Sequence, residues 1–489
     1  MLGRSRRGLH AHSEVARQDG QHVKPVTVPD WRRTLGWRTL LVLLVVVTAI
    51  QVLSPDFQVT DSRMSVPEAY ALVYQHTLDL NNVPSVPRAL KITHYDIVQV
   101  HGRVLPFFPW PPMLFMIPAV VAAETIGIHV GDLRPSGSNQ TFILEEPTAS
   151  LLVGVTAVLI ALIAIELAAD MIAAGEEERT RRRRRLFAIS TALVFAFTTS
   201  AWSTASRSLW SATPTMLFLT VSLLAALRSR RNVNYLWLLG GALALSFTMR
   251  PTAAIAIVVL GAWALLRFRT KVWRAVLAGI AVLIPFTLVS HHYYGSFLPP
   301  YWRSTRLGTQ QAVSFTDAFF AHLVSPSRGL FVYSSLFLLI PLSIWLKKRD
   351  GKFCDLDLVS LLIVAGYAIT IGVYGSTGGS SYGSRFFTEP LPFLMFLWMP
   401  LWFHLVVKAD VSKAMRVATI GLVVLSLMTT APGALTRSAF CWSATPKTIT
   451  QDPGRMWDFA DPQFLRPIRD LVNGVSVRNV VIGSCSQSS

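Results

Sequence analysis

The sequence predicts an all-α polytopic membrane protein with about eleven transmembrane helices, and three observations predict it. The 489 residues are 52% hydrophobic and carry repeated apolar runs near the roughly 20 residues that span a bilayer. The runs are continuous rather than alternating with period two, which argues against a transmembrane barrel. Short basic clusters (Arg4–Arg38, Arg179–Arg185, Arg228–Arg231, Arg267–Arg274, Lys347–Lys352 and Lys408–Arg416) separate the runs on one side, which the positive-inside rule makes cytoplasmic.

Residues 1–37 form a basic cytoplasmic tail, expected to be disordered. The apolar run Leu40–Leu53 follows too long a basic stretch and lacks a small-residue cleavage site, so it reads as a retained helix. Helix one, about Thr39–Leu53, leads out into an external loop of about residues 54–147. Within that loop, Phe107–Val130 is apolar but broken by Pro109, Pro111, Pro112 and Pro118, and proline interrupts helix hydrogen bonding. If that segment spanned, Arg181–Arg185 would lie outside. If it only dips into the outer leaflet, Ala149–Ala169 returns inward and every later loop obeys the charge rule.

The remaining spans are about Leu186–Trp202, Thr215–Leu227, Tyr235–Met249, Ala253–Leu266, Ala275–Ser290, Leu330–Leu346, Leu358–Val373, Leu391–Val407 and Val417–Thr430. The transmembrane domain thus covers 38–430, and 431–489 is a small external tail. The expected location is the plasma (inner) membrane. Cys441 and Cys485 share that tail, as a disulfide or as two thiols. No internal repeat is visible, which weighs against a secondary transporter. The net charge of +18 sits largely in loops, where it sets orientation and meets anionic lipid. Membrane lipid, not nucleic acid, is the expected partner.

On this topology the chemically promising residues all face outward. Asp56 and Asp61 lie just past helix one, where a carboxylate beside the membrane needs a partner, a metal or a catalytic role. Asp61 fits a general base for deprotonating a hydroxyl, and equally an N-cap for a helix starting near Arg63. Arg63, Arg103, Arg207, Arg250, Arg303, Arg306, Arg328 and Arg385 occupy the side that topology leaves poor in basic residues. Arginine recognises phosphate through paired hydrogen bonds. Snorkelling accounts for Arg303 and Arg306, but less well for Arg328 and Arg385, which are set among small residues. Of His291 and His292, one fits a phosphate or sugar hydroxyl and the other the interfacial aromatic belt with Tyr293 and Tyr294. His94 and His101 flank Asp96. No HExxH, GxSxG, P-loop or strand-to-helix GxGxxG occurs, so nucleotide-dependent chemistry has no support.

The stretches Thr60–Leu80 (TDSRMSVPEAYALVYQHTLDL), His101–Pro112 (HGRVLPFFPWPP), Ser203–Leu219, MRPT at Met249–Thr252, Ser325–Ser335 (SPSRGLFVYSS) and Ser381–Leu394 (SYGSRFFTEPLPFL) carry a resemblance. In order and sidedness they resemble the GT-C superfamily of membrane glycosyltransferases, which use polyprenyl-phosphate-linked sugars, and in particular a bacterial branch related to mannosyl- and arabinosyltransferases. The resemblance implies a GT-C-type first external loop with juxtamembrane helices, and inverting transfer to an extracytoplasmic acceptor. It implies Asp61 as general base. Arg328, Arg385, Arg207, His292 and Arg63 would hold the donor phosphate, and Arg103, His291 and Tyr382 the substrate. The prenyl tail would lie between helices around Pro285 and Phe386–Trp398.

Many members pair two acids in the first loop, whereas this chain has Asp61-Ser62. A two-carboxylate Mg or Mn site is therefore in question, with Asp56, Glu68 and Asp96 as further ligand candidates. The sugar and the acceptor (glycan, lipid or protein) are left open. Three competing readings are a lipid-linked-sugar flippase, which would place charges mid-span, a non-catalytic envelope assembly protein, and a glycan ligase with a larger external loop.

Overall fold

The computed structural model describes residues 31–58, 61–86, 91, 95–135, 140–172, 177–303 and 312–485. Of the tail expected to be disordered over 1–37, residues 1–30 lie outside the described residues, as do His94 and Arg306, whereas Trp31–Thr34 is helical and Gly36 already belongs to the first long helix.

The architecture is helical. The principal helices are α1 (Gly36–Val52), α2 (Ser65–Gln75), α3 (Ile117–Thr125), α4 (Phe142–Met171), α5 (Glu177–Phe197), α6 (Ala212–Ser229), α7 (Tyr235–Met249), α8 (Ala254–Phe268), α9 (Trp273–Tyr294), α10 (Phe315–Val324), α11 (Ile340–Arg349), α12 (Asp355–Tyr374), α13 (Leu391–Phe403) and α14 (Lys413–Thr430). Six described helical stretches are long and apolar enough to cross a membrane: Phe142–Met171, Ala212–Ser229, Pro251–Tyr294, Asp355–Tyr374, Leu391–Lys408 and Lys413–Leu435. Gly36–Val52 and Tyr235–Met249 are shorter apolar helices. The protein is thus an all-α polytopic membrane protein.

Packing follows from which faces are apolar. Helix α13 is apolar all round and buried along nearly its whole length, as a central helix must be. By contrast Val276, Leu277, Ile280, Ile284 and Leu288 of α9 are exposed, and their spacing leaves one apolar stripe facing outward, which suits lipid contact. The stretch Pro251–Tyr294 divides where Arg269 takes a positive φ of 47°, so α8 and α9 are two helices.

The basic loops gather at one end of the bundle through ion pairs. Glu166 near the end of α4 meets Arg228 (2.8 Å) and Arg231 (2.5 Å), Arg267 meets Asp355 (3.0 Å), and Lys347 meets Asp357 (2.6 Å). Lys408 closes on Asp350, and Arg183 donates to the carbonyl of Val407 (3.0 Å).

The opposite end carries the irregular structure. Strands β1 (Ile97–Val100) and β2 (Arg103–Pro106) pair antiparallel with Val100 opposite Arg103. Their two-residue turn has His101 and Gly102 at φ 50° and 79°, the doubly positive geometry that suits the twist of a tight hairpin. The proline-rich segment forms a 3-10 helix, Pro111–Met116, running into the nine-residue α3. Pro111 and Pro112 open the first of these helices and Pro118 the second, first-turn positions that a residue without an N–H tolerates.

Two sequence expectations change. The span expected over Leu330–Leu346 is broken into a turn at Leu330–Tyr333, a 3-10 helix at Ser335–Leu339 and α11. Pro341 is the second residue of α11, a first-turn position where its missing N–H costs no intrahelical bond and its fixed φ favours a helix start. The expected loop His291–Arg328 contains helix α10, capped by Ser314, whose side chain accepts from the Asp317 N–H (3.1 Å). The tail past Ala431 is a packed cap, and Cys441 and Cys485 form a disulfide.

Candidate active site

At the end opposite the basic loops, a cavity of about 860 Å³ is lined by residues from several distant parts of the chain, including Asp61, Arg63, Arg250, Arg385 and Glu389. Two short segments place its chemistry.

The first is the chain leaving α1. Arg207 is fully buried, and its guanidinium donates to the carbonyls of Gln51, Ser54 (2.8 Å) and Asp56 (3.2 Å), with an ion pair to Glu146 at 2.6 Å. Gln58 is fastened to the carbonyls of Ser203 (2.8 Å) and Gly433 (3.0 Å). Ser62 donates to Glu145 (2.7 Å), which also accepts from Ser208 and Thr141 (both 3.0 Å). Pinned on both sides, Asp61 lies in the cavity wall with its Oδ2 3.4 Å from Nη2 of Arg385.

The second segment runs from Ser376 to Glu389. Arg385 lies over the Trp210 ring at 4.6 Å, a cation–π contact that orients its planar group. Glu389 accepts from Arg250 (2.8 Å), Thr252 (2.6 Å) and the Tyr367 hydroxyl (2.9 Å). Phe107, Phe108, Tyr95, Tyr301 and Tyr374 complete the wall, with Tyr301 against Phe108 at 5.6 Å. Aromatic faces interleaved with guanidinium and carboxylate groups can take a polyol on one side and an anion on the other.

Of the sequence-nominated residues, Asp61, Arg385, Arg63 and Arg250 line the cavity. The others do not. Arg207 spends its donors as described, and Arg328 is equally buried, donating to the carbonyls of Thr377 (3.0 Å), Ser381 (2.9 Å) and Gly379 (3.0 Å) and to Gln463 (2.7 Å). Both act behind the wall, because an arginine saturated by carbonyls has no fork left for a phosphate. Tyr382 is fully buried and donates to Thr429 O (2.7 Å). His291 stacks on Phe297 (5.1 Å) and His292 meets Tyr293 edge to face (4.8 Å), both outside the lining. Arg103, on the hairpin, donates to His292 O (3.2 Å). The stretch Phe393–Trp398 is core and cannot form a prenyl groove, although Phe386 lines the cavity.

The nominated cation ligands are also dispersed. Asp56 sits beneath the wall, 3.5 Å from Arg437, and burial lifts its carboxyl to about 6 against the pull of Arg437. Burial raises Asp96 to about 7 despite Arg63 at 3.6 Å, with Asp61 adding to the rise. Burial holds Glu68 well above the ordinary carboxylate range. Metal ligands must be deprotonated, and among the described residues no three His, Cys, Asp or Glu side chains converge. Among the described residues the nominated ligands therefore form no divalent-cation site.

Sequence reasoning passed over Glu389, Tyr301 and Tyr367. Glu389 carried a usable signal: an acid directly before a long apolar run at the outer side is a functional candidate. The two tyrosines are indistinguishable in sequence from interfacial ones.

No protein-family profile matches the chain, and no curated protein is similar to it. Among solved structures, ArnT from Cupriavidus metallidurans bound to undecaprenyl phosphate is similar at 13% identity and TM-score 0.48, over 88% of this chain and 75% of that one. ArnT of the same organism in the apo state is similar at 13% identity and TM-score 0.44, over 82% and 73%.

Proposed function

We propose that the protein is a membrane glycosyltransferase of the GT-C kind. It moves a sugar from a polyprenyl-phosphate donor to an extracytoplasmic cell-envelope acceptor, with inversion. The observation that carries this reading is the Asp61–Arg385 pair in one cavity: a carboxylate able to take a proton stands beside a guanidinium able to take a phosphate. The resemblance of the chain's motifs to that superfamily points the same way.

In the reaction, Asp61 accepts the proton of the acceptor hydroxyl. The hydroxyl oxygen bonds to the sugar's anomeric carbon from the side opposite the phosphate. The bond between that carbon and the phosphate oxygen breaks, and its electron pair leaves on the polyprenyl phosphate. Arg385 compensates the charge that develops there, an electrostatic contribution made before the reaction begins. Arg63 adds positive potential beside Asp61, and Glu389, oriented by Arg250, accepts hydrogen bonds from sugar hydroxyls.

The sidedness follows the same reading. The basic end faces the cytoplasm and the cavity faces outward. The Cys441–Cys485 disulfide in the cap at the cavity end agrees, since disulfides persist in oxidising compartments. The test is transfer from a panel of radiolabelled polyprenyl-phosphate sugars, in membranes carrying the wild type or Asp61→Asn at matched expression. Transfer by the wild type and its loss in the variant are expected. No transfer from any donor by folded wild type would overturn the reading.

A further inference from the structure

Between α12 and α13 the chain forms the loop Ser376–Ser381, five residues of which (Ser376 to Ser380) line the cavity. Gly378 and Gly379 adopt positive φ of 85° and 57°. Behind the loop, away from the cavity, lies Arg328. Its Nε donates to Thr377 O (3.0 Å), its Nη2 to Gly379 O (3.0 Å) and its Nη1 to Ser381 O (2.9 Å). The carbonyl of Gly378 is also taken, by the Ser381 hydroxyl at 2.9 Å. A planar trans peptide holds its N–H opposite its C=O. Fixing the Gly379 carbonyl on Arg328 therefore turns the Ser380 N–H to the other side of the loop, where the cavity is. The N–H groups of Gly379 and Ser380 have no acceptor among the described residues. Arg385 lines the same cavity.

We propose that the Ser376–Ser381 loop is an anion cradle: Arg328, from behind, aims the Ser380 N–H, the Ser381 hydroxyl on the Gly378 carbonyl fixes the Gly379 N–H, and together the two N–H groups hold the phosphoryl group of the lipid substrate opposite Arg385. Successive N–H groups around a left-handed residue form a concavity that binds anions. Arg328 is then a positioning residue that never touches the phosphate, and a glycine suits position 378 because a side chain there would meet Arg328 Nε at 3.1 Å. At Gly379 a Cβ would meet nothing within 4 Å, so alanine there clashes with no neighbour and acts through the backbone, whose φ of 57° L residues rarely adopt. The inference rests on the transferase reading, because that reading supplies the phosphate.

The test is binding of polyprenyl phosphate, and of the uncharged polyprenol, to the detergent-solubilised full chain, followed by tryptophan fluorescence. Wild type, Gly379→Ala, Arg328→Lys and Arg385→Gln are compared after far-UV circular dichroism has shown each folded. Wild type is expected to prefer the phosphate. Gly379→Ala and Arg328→Lys are each expected to lose about tenfold of that preference, the size of one charge-assisted hydrogen bond, with polyprenol binding unchanged. A general structural defect would lower both ligands together, leave the ratio intact and overturn the proposal. Loss of preference in Arg385→Gln alone, with Gly379→Ala like wild type, would overturn the cradle and leave the transferase reading standing. Folded wild type with no preference for phosphate would overturn both.

Discussion

Four arginines of the site region divide into two pairs. Arg385 and Arg250 stand in the cavity wall, each facing a carboxylate, at 3.4 Å and 2.8 Å. Arg207 and Arg328 lie directly behind the wall, fully buried, each bonded to at least three main-chain carbonyls. The residue type is the same, but the number of backbone acceptors around each guanidinium separates the roles. The lining pair has donors to offer a ligand, whereas the buried pair holds the segments that carry Asp61 and the glycine loop. Positive charge at such a site is therefore a poor guide to phosphate contact until its partners are known.

That division can be broken by exchanging the two sets. Arg385→Gln is expected to lower transfer by about 10²–10³-fold, the usual cost of one preorganised donor at developing charge, with the thermal unfolding midpoint in detergent unchanged. Arg207→Met is expected to do the opposite. It strands Glu146 without its ion-pair partner and should cost about 3–5 kcal/mol of stability, read as a lowered midpoint and reduced yield. A second change, Glu146→Leu, should restore part of it. Transfer lost in Arg207→Met at an unchanged midpoint would erase the distinction.

A smaller effect is expected at Glu389→Gln. KM for the donor should rise about tenfold with kcat little changed, if the carboxylate binds sugar hydroxyls rather than taking part in bond breaking. The smallest concerns Asp96, whose folded value of about 7 lies above the ordinary 3.8. The folded state then binds more protons than the unfolded one between those values, so stability falls as pH rises from about 4 to about 7. Asp96→Asn should flatten that slope and raise the midpoint at pH 8 by about one to two °C. A midpoint lowered at pH 8 would show instead that the ionised carboxylate is held favourably by Arg63.

Helix placement was largely legible in the sequence, because a lipid-spanning run is set by its own composition. Tyr235–Met249 is both the expected and the observed helix, and the charged loops share one end. Asp61, one of two acids where the chain leaves an apolar helix, does line the cavity. The breaks were less legible. Pro341 was visible, yet a single proline either kinks a span or opens a new helix according to its neighbours. Helix α10 hid in a loop because ten residues are too few for a span. Arg207 and Arg328 were misjudged because the carbonyls that saturate them come from segments up to about 156 positions away in the chain, and no local pattern reports such partners. The tyrosines of the wall were hidden for the same reason.

The most direct test of the central claim separates binding from chemistry at Asp61. Equilibrium binding of polyprenyl phosphate and single-turnover sugar transfer would be measured on the same preparation of Asp61→Asn. Removing the carboxylate's charge frees Arg385 and removes the proton acceptor. The lipid phosphate should therefore bind at least as tightly as to wild type, while transfer falls by about 10²–10⁴-fold. Transfer that survives the substitution at near wild-type rate would contradict the account, and so would transfer lost only in step with phosphate binding.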